Sequence, residues 1–440
     1  MPNHYSRYIL LLFGIAVSGL ILFLSGPMDI MVHVTALGLL ALFACAIVRF
    51  DPLHPYCWFS ASFFIYYSAY AIYYNYGDLA AVFGWRLYFY DKEALVYSWI
   101  ALAVFLLVMS PKEAARPSTD ILYSACNGLR VKFLNPVVAI LGIWFLSMAG
   151  YYILSGMTHK NQFYALGLVG QITATLAVVS TIIFAYMFYV KSAKKGKLAL
   201  ECIPFAAGPL AVLGLIIAQR DWFIRFIVLS VFIGYALGRI KKKHFIAIIP
   251  LGMTLLVFYG FERDISSLGE FILSFMSSEF IAAGSNLQIL ITNETGGLFG
   301  GRGFLYEFAR TFYIPIHGPT HMLWYHDTFF FHSDTGMGFT LVGSGYVELG
   351  VLGIIIVFIF VAAVLRFLYF RMYKTPYMFI AYIFIIPAYI YMLRMSLFSA
   401  LSSLIKHAVL TLGLIYICDK LLSKVNFPGA SSTLSAKRWK

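Results

Sequence analysis

Long apolar runs constrain this chain more than any other feature. The stretch YILLLFGIAVSGLILFLSG (residues 8–26) is long enough to cross the hydrocarbon of a bilayer as a helix, which takes about 20 apolar residues. Similar runs recur along the chain, which is 61% hydrophobic and 12% charged, whereas a soluble domain is about 25% charged. No A-x-A-like cleavage site follows the first run, which favours a retained span over a signal peptide. The sequence therefore predicts an all-α polytopic membrane protein.

The apolar segments predict about 12 transmembrane helices in a single integral membrane domain, residues 1–440. One long, partly helical loop at 263–340 lies within this domain. Loops of this length usually carry function. The predicted spans are 8–26, 30–49, 57–76, 93–110, 135–156, 165–190, 199–218, 222–239, 244–262, 342–370, 377–393 and 397–418.

The distribution of Lys and Arg orients these spans. The basic loops KSAKKGK (191–197) and RIKKKH (239–244) fall on the same side as both termini, and that side holds 22 of the 32 cations. The positive-inside rule makes this side cytoplasmic and explains the net charge of +13 without a nucleic-acid partner. All five cysteines lie in the cytoplasmic loops or at the cytoplasmic ends of spans, so no extracytoplasmic disulfide is expected.

The ten remaining cations face outward, and seven of them are arginines. A guanidinium binds phosphate in a bidentate fashion, so this bias favours an anionic ligand at the outer surface, such as a lipid phosphate or pyrophosphate. Arg220 and Arg394 have no acidic residue at helical pairing distance and are the strongest candidates. Arg263 and Arg310 have acidic neighbours, Glu307 lying three residues before Arg310, so charge balancing is an equal alternative for them.

The long loop carries the other candidate residues. We predict one or two helices at the outer surface within 268–291 and a short helix at 304–312. GGLFGGRGF (296–304) could hold a phosphate with Arg302, although a flexible turn is the favoured alternative. His326, His332 and Glu348 are candidate proton acceptors. The alternatives are packing or solvent exposure for the histidines, and an ion pair with an outer arginine for Glu348.

Two further ligand classes follow from the same loop. The aromatic residues Trp324, Tyr325 and Tyr313 offer flat faces to sugar rings, or else form an interfacial belt. The histidines at 317, 321, 326 and 332 raise the question of a metal site. We do not favour one, because no H-E-x-x-H occurs and the first of them precedes Gly-Pro, where a helix is unfavourable.

Three stretches resemble the bacterial O-antigen repeat-unit polymerases of the Wzy type, relatives of the O-antigen ligases. They are the arginine after LGLIIAQ, GSGYVELGVLG (343–353) where the long loop re-enters the membrane, and LRMSLFSALSSLI (393–405) opening the last span. The resemblance implies a GT-C-like fold and a metal-independent, inverting glycosyltransferase without cofactors. Its donor and acceptor would be polyprenyl-pyrophosphate-linked glycans, used at the periplasmic face of the inner membrane, and a chain-length regulator is an expected partner.

Under this resemblance Arg220 and Arg394 would bind pyrophosphate, with Arg263, Arg302 or Arg310 assisting. Glu348, His332 or His326 would activate the acceptor hydroxyl. The ligase-type spacing HSDTGMGFTLVGSGY gives His332 the key position, but an alternative register on ELGVLG puts Phe339 there instead. The alternatives to a polymerase are a ligase that transfers glycan to the lipid A core, and a flippase or other transporter of lipid-linked glycans.

Overall fold

A computed structural model describes residues 4–76, 90–115, 117, 121, 126, 129, 131–157, 162–163, 165–217, 219–245, 280–316, 318–330 and 338–424. The described residues are helical and contain no strand. Helices α1 to α8 are His4–Leu24, Ile30–Ile47, Pro55–Tyr76, Lys92–Met109, Leu134–Leu154, Leu168–Lys195, Gly208–Ile216 and Arg220–Ala236. Helices α9 to α15 are Ile281–Thr292, Arg302–Thr311, His321–Phe329, Leu341–Arg371, Pro376–Met392, Leu397–Ser403 and Leu410–Lys424. Two π-helices, Ile203–Ala207 and Leu404–Val409, precede α7 and α15.

Six of the described helices are long and apolar enough to cross a membrane: Tyr5–Leu24, Ile30–Ile47, Lys92–Met109, Val131–Leu154, Leu168–Lys195 and Leu341–Arg371. The chain is therefore an all-helical membrane protein. Helices also occupy other predicted spans, among them the tyrosine-rich α3 and the shorter apolar α13. The predicted span 244–262 lies almost entirely outside the described residues. The count of 12 and the GT-C-like arrangement remain predictions.

Loops predicted on one side of the membrane meet at one end of the bundle. Arg7 binds the carbonyl of Pro111 at 3.2 Å, and Lys242 binds the carbonyl of Arg49. Contacts at the other end join the remaining loops: the Lys92 ammonium donates to the carbonyl of Ser25 at 2.6 Å. The first two contacts each join a pair of segments that the positive-inside rule predicts to be cytoplasmic, and the orientation itself stays a prediction.

Helix α9 is buried along its length, so the prediction that residues 281–291 lie at the surface is wrong. Every residue from Ile281 to Ile291 is buried, with α3, α4 and α12 packed around the helix. Its polar side chains have partners inside the protein. The Gln288 amide donates to the carbonyl of Asp91 at 2.9 Å and accepts from its N–H at 2.8 Å. The mixture of apolar and small polar residues in α9 therefore serves close packing between helices and not a position at the membrane interface.

Helix α12 is broken near its start, at Leu349 and Gly350. Thr340 caps its first turn by accepting from the N–H of Gly343. Gly350 has φ 60° and ψ −139°, a conformation that favours glycine because it has no Cβ. The two segments then approach so closely that a Cβ built on Gly345 would lie 2.6 Å from the carbonyl carbon of Gly353. The break separates a short, buried helix, residues 341–348, from the long apolar helix that follows.

Candidate functional site

Glu348 is the last residue before the break in α12, and its side chain is fully buried. A broken helix leaves its last carbonyls without intrahelical donors. The chain before α10 supplies replacements, since the N–H of Gly297 donates to Tyr346 at 2.9 Å and that of Phe299 to Val347 at 3.0 Å. The turn-rich stretch GGLFGGRGF therefore holds the end of the short helix and fixes Glu348 beneath it.

His321 is bound by two carboxylates from separate elements. Thr320 caps α11 through Leu323 N–H and places the imidazole at the first helical position. The imidazole Nε2 lies 2.5 Å from Glu348 Oε1, and Nδ1 lies 3.1 Å from Glu307 Oε1. The second contact lacks hydrogen-bond geometry for Nδ1, but the same oxygen of Glu307 accepts from the backbone N–H of His321 at 3.2 Å. Helices α10, α11 and α12 thus meet at one imidazole, and we call Glu307, His321 and Glu348 the carboxylate–imidazole cluster.

Gly303 on α10 lies directly against this cluster. A Cβ built on it would lie 2.5 Å from His321 Nε2 and still closer to Glu348 Oε1, well inside van der Waals contact. The imidazole ring is stacked on Phe339, with ring centroids 5.8 Å apart, and the edges of Phe299 and Phe304 close its other sides. Glycine at 303 is therefore required by close packing, and aromatic rings exclude water around the cluster.

The cluster carries more negative than positive charge. Burial alone would lower the pKa of His321, but its contacts with Glu307 and Glu348 outweigh burial and raise that pKa to about 9. The imidazole is therefore a cation at neutral pH. Within the described part of the chain, His321 is the only ion-pair partner of either carboxylate. One negative charge remains uncompensated, and the second oxygens of Glu307 and Glu348 have no hydrogen-bond partner among the described residues.

In this cluster two carboxylates share one imidazole, away from water. An uncompensated charge costs several kcal/mol when it is withdrawn from water, roughly 3–5 kcal/mol when a buried pair is broken. The unpartnered Oε2 of Glu348 is a suitable acceptor, because a base needs a free lone pair within hydrogen-bond reach of the proton it removes.

The predicted pyrophosphate-binding arginines have different surroundings. Arg302 is exposed and its Nε donates to the carbonyl of Phe299 at 3.1 Å. Arg310 is also exposed, and the alternative of a local pair with Glu307 is not formed, since Glu307 turns inward to His321. Arg394 is half-buried after α13, with its guanidinium over the ring of Tyr391.

Arg394 also reaches the start of α12 through its backbone. Its carbonyl accepts from the N–H of Phe339, the residue whose ring is stacked on His321. Arg220 is the first residue of α8. Arg263 lies outside the described residues. None of these contacts places a guanidinium on Glu348, so the alternative ion pair between Glu348 and an outer arginine has no support in the described part of the chain.

The remaining predicted residues lie outside the carboxylate–imidazole cluster or outside the described residues. His326 is half-exposed, with Nδ1 3.7 Å from Asp327 Oδ1, and takes no part in the cluster; His332 lies outside the described residues. Tyr313 is 83% exposed beneath the Lys406 ammonium, and Trp324 is half-buried between Phe299 and Phe329.

Tyr325 cannot present its ring to a sugar in this structure. It is 1% exposed, and its hydroxyl donates to Asn286 Oδ1 at 3.0 Å. The Asn286 amide in turn reaches the carbonyl of Phe339, so Tyr325 connects α11 to the buried α9. The sugar-binding role of this residue stays a prediction, and in this structure its ring is buried.

Sequence reasoning missed His321 and Glu307 as members of the site. His321 was one of four loop histidines, and only its position after Pro-Thr, a helix-capping sequence, distinguished it. Among the described residues, no group of three or more His, Cys, Asp or Glu side chains has the arrangement of a metal site.

Comparison with known proteins adds no assignment: no protein-family model, no curated protein and no solved structure matches this chain.

Proposed function

We propose that this membrane protein is a glycosyltransferase that polymerises polyprenyl-pyrophosphate-linked repeat units at the periplasmic face of the bacterial inner membrane. The observation that carries the proposal is the carboxylate–imidazole cluster where the long loop re-enters the helical bundle. Buried titratable groups of unbalanced charge are typical of functional sites. The sequence resemblance around 343–353 includes Glu348, which supports a role for this residue in the reaction.

In the proposed reaction the acceptor hydroxyl transfers its proton to Glu348 Oε2. Its oxygen attacks the anomeric carbon of the donor glycan, and the bond from that carbon to the pyrophosphate breaks. The pyrophosphate leaves with the electron pair, and the lipid carrier departs with it. His321 stays bound to Glu348 Oε1, which orients the carboxylate, and Glu307 orients His321. Arg394, close to Phe339, and Arg220 would neutralise the leaving group.

The cluster is closed to solvent in this structure, so substrate binding must uncover it. Helix α10 approaches Glu348 most closely at Gly303, which has no side chain to displace. Movement of α10 would open the unpartnered oxygen of Glu348 toward the loop. Closure in the absence of substrate would keep water away from the proton acceptor.

Reconstituted protein tests the proposal with lipid-linked repeat unit as the sole substrate. We expect wild-type protein to form a ladder of glycan lengths and Glu348→Gln, which is isosteric but cannot accept the proton, to form none. Asp327→Asn is the matched control, because Asp327 is an exposed carboxylate on α11 and should not be needed. A ladder from Glu348→Gln would remove Glu348 from the reaction. Product formed only when lipid A core is added would identify a ligase instead.

A further inference from the structure

Helix α10 has its polar side turned inward. Gly303, Glu307 and Thr311 recur at four-residue spacing and are buried on one face. Leu305, Phe308 and Phe312, the residue after the helix, lie on the opposite side and are 49%, 41% and 46% exposed. A helix that packs on a water-soluble core shows the reverse arrangement, with its apolar residues inside. This orientation is favourable only where the outward face is also removed from water.

The exposed apolar surface continues past the end of α10. Ile314 and Ile316 are each 41% exposed, and Tyr313 is 83% exposed with a positive φ of 56°. The chain therefore holds an unfavourable backbone conformation for a tyrosine while turning its ring outward. Together with Leu305, Phe308 and Phe312, residues 313, 314 and 316 form what we call the outward apolar face.

Contacts of α10 place this face beside the membrane-embedded part of the bundle. Phe304 and Phe308 both contact the ring of Phe398 on α14, each with centroids 5.9 Å apart. α14 begins the last apolar helical run, in which Leu410 and Leu414 are 62% and 63% exposed. Helix α12 is a candidate membrane span, and its side chains are as exposed as those of the outward apolar face. Leu352, Ile356 and Ile359 are 58%, 44% and 44% exposed.

The charges next to this face match a lipid headgroup layer. Arg302 and Arg310 are exposed on the side of α10 between its apolar and buried faces. The Lys406 ammonium lies 4.3 Å from the ring centroid of Tyr313. Three cations thus lie beside an apolar face, and α10 exposes no acidic side chain. This arrangement complements lipid phosphates rather than another basic surface.

We propose that α10 and residues 312–316 lie in the interface of the bilayer leaflet on the side of the long loop. The outward apolar face would enter the acyl region, while Arg302 and Arg310 reach the phosphates. This inference does not depend on the glycosyltransferase proposal, since it rests on polarity, exposure and the contact with α14. It also anchors in the bilayer the helix that covers the carboxylate–imidazole cluster.

Spin-label accessibility in proteoliposomes tests the location of α10. The five native cysteines are replaced by alanine, and a nitroxide is attached to Phe308→Cys, Phe312→Cys or, as the matched control on the polar side, Arg310→Cys. Oxygen concentrates in hydrocarbon, and a water-soluble nickel chelate is excluded from it. We expect the ratio of oxygen to nickel collisions at 308 and 312 to exceed that at 310 by roughly fivefold or more.

Two results would overturn the proposal. Equal nickel collisions at positions 308, 310 and 312 would mean that the outward apolar face is in water. Labels at 308 and 312 that are immobile and inaccessible to both reagents would mean that protein covers the face, either a second copy or another chain. Circular dichroism of each variant, compared with the cysteine-free parent, establishes that the fold is intact before the collision rates are compared.

Discussion

Replacement of Gly303 by alanine tests the packing of the carboxylate–imidazole cluster most sharply. The new Cβ would overlap Glu348 Oε1 and lie 2.5 Å from His321 Nε2, and neither ring nor carboxylate has free space, because both are buried. Overpacking of a core costs about 1–3 kcal/mol. Separation of Glu348 from His321 would add to this, since a broken buried ion pair costs about 3–5 kcal/mol. The gain of about 0.5–1 kcal/mol from removing a helical glycine offsets only a small part.

We therefore expect Gly303→Ala to lower the free energy of unfolding by roughly 3–7 kcal/mol. The measurement is thermal unfolding of the protein in detergent or bilayers, followed by loss of helical circular dichroism. Gly150→Ala is the matched control, because no atom lies within 4 Å of its built Cβ and α5 is helical there. Unfolding of Gly303→Ala at the same temperature as Gly150→Ala would refute the close approach of α10 to Glu348.

A shorter carboxylate should restore part of the loss. In Glu348→Asp the carboxylate withdraws by one methylene, which leaves room for a Cβ on residue 303. The double variant Gly303→Ala/Glu348→Asp should then be more stable than the sum of the two single changes predicts, as expected for residues in contact. Strict additivity would show that the two positions do not touch.

Three further predictions follow from the same geometry. The contacts with Glu307 and Glu348 raise the pKa of His321 from 6.5 to about 9 in the folded protein, so the imidazolium contributes roughly 3 kcal/mol of stability below about pH 6.5. This stability is lost as the pH rises through about 9. His321→Gln should remove this pH dependence in unfolding titrations. Gly350→Ala should destabilise α12 by about 1–3 kcal/mol, since φ 60° and ψ −139° strain any residue with a Cβ. Gly413→Ala is the control, because a Cβ built there has open space around it and should cause no such loss. Thermal unfolding measures both. Tyr325→Phe should cost about 1 kcal/mol, measured by thermal unfolding, because it removes the buried hydrogen bond that the Tyr325 hydroxyl donates to Asn286 Oδ1.

Apolar runs predicted most of the helices, because the period and length of such runs report local structure directly. They could not predict the burial of α9, whose alternation of Ala, Gly, Ser and Asn with apolar residues is equally typical of a surface helix and a tightly packed one. The sequence likewise did not predict the break in α12, although the stretch ELGVLG contains both Glu348 and the glycines that permit the break.

The composition of the site depended on contacts between residues far apart in sequence. Glu307, His321 and Glu348 are 14 and 27 residues apart in succession and lie on three different helices. The nearest charge to Glu307 along the sequence is Arg310, and local spacing made that pair an equal alternative to an anionic ligand for Arg310. Burial decided otherwise, because α10 turns Glu307 inward and Arg310 outward. Among the four loop histidines only its helix-capping position set His321 apart in the sequence, and the fold then placed it between two carboxylates.

The protonation state of His321 tests the account most directly. Nitrogen NMR of protein labelled with ¹⁵N-histidine, assigned by difference from His321→Gln, reports whether one or both ring nitrogens carry protons. We predict that both are protonated at neutral pH and that the ring loses a proton only near pH 9, because Glu307 and Glu348 hold it as a cation. A neutral, singly protonated His321 at neutral pH would contradict the charge imbalance on which the proposed proton transfer to Glu348 depends.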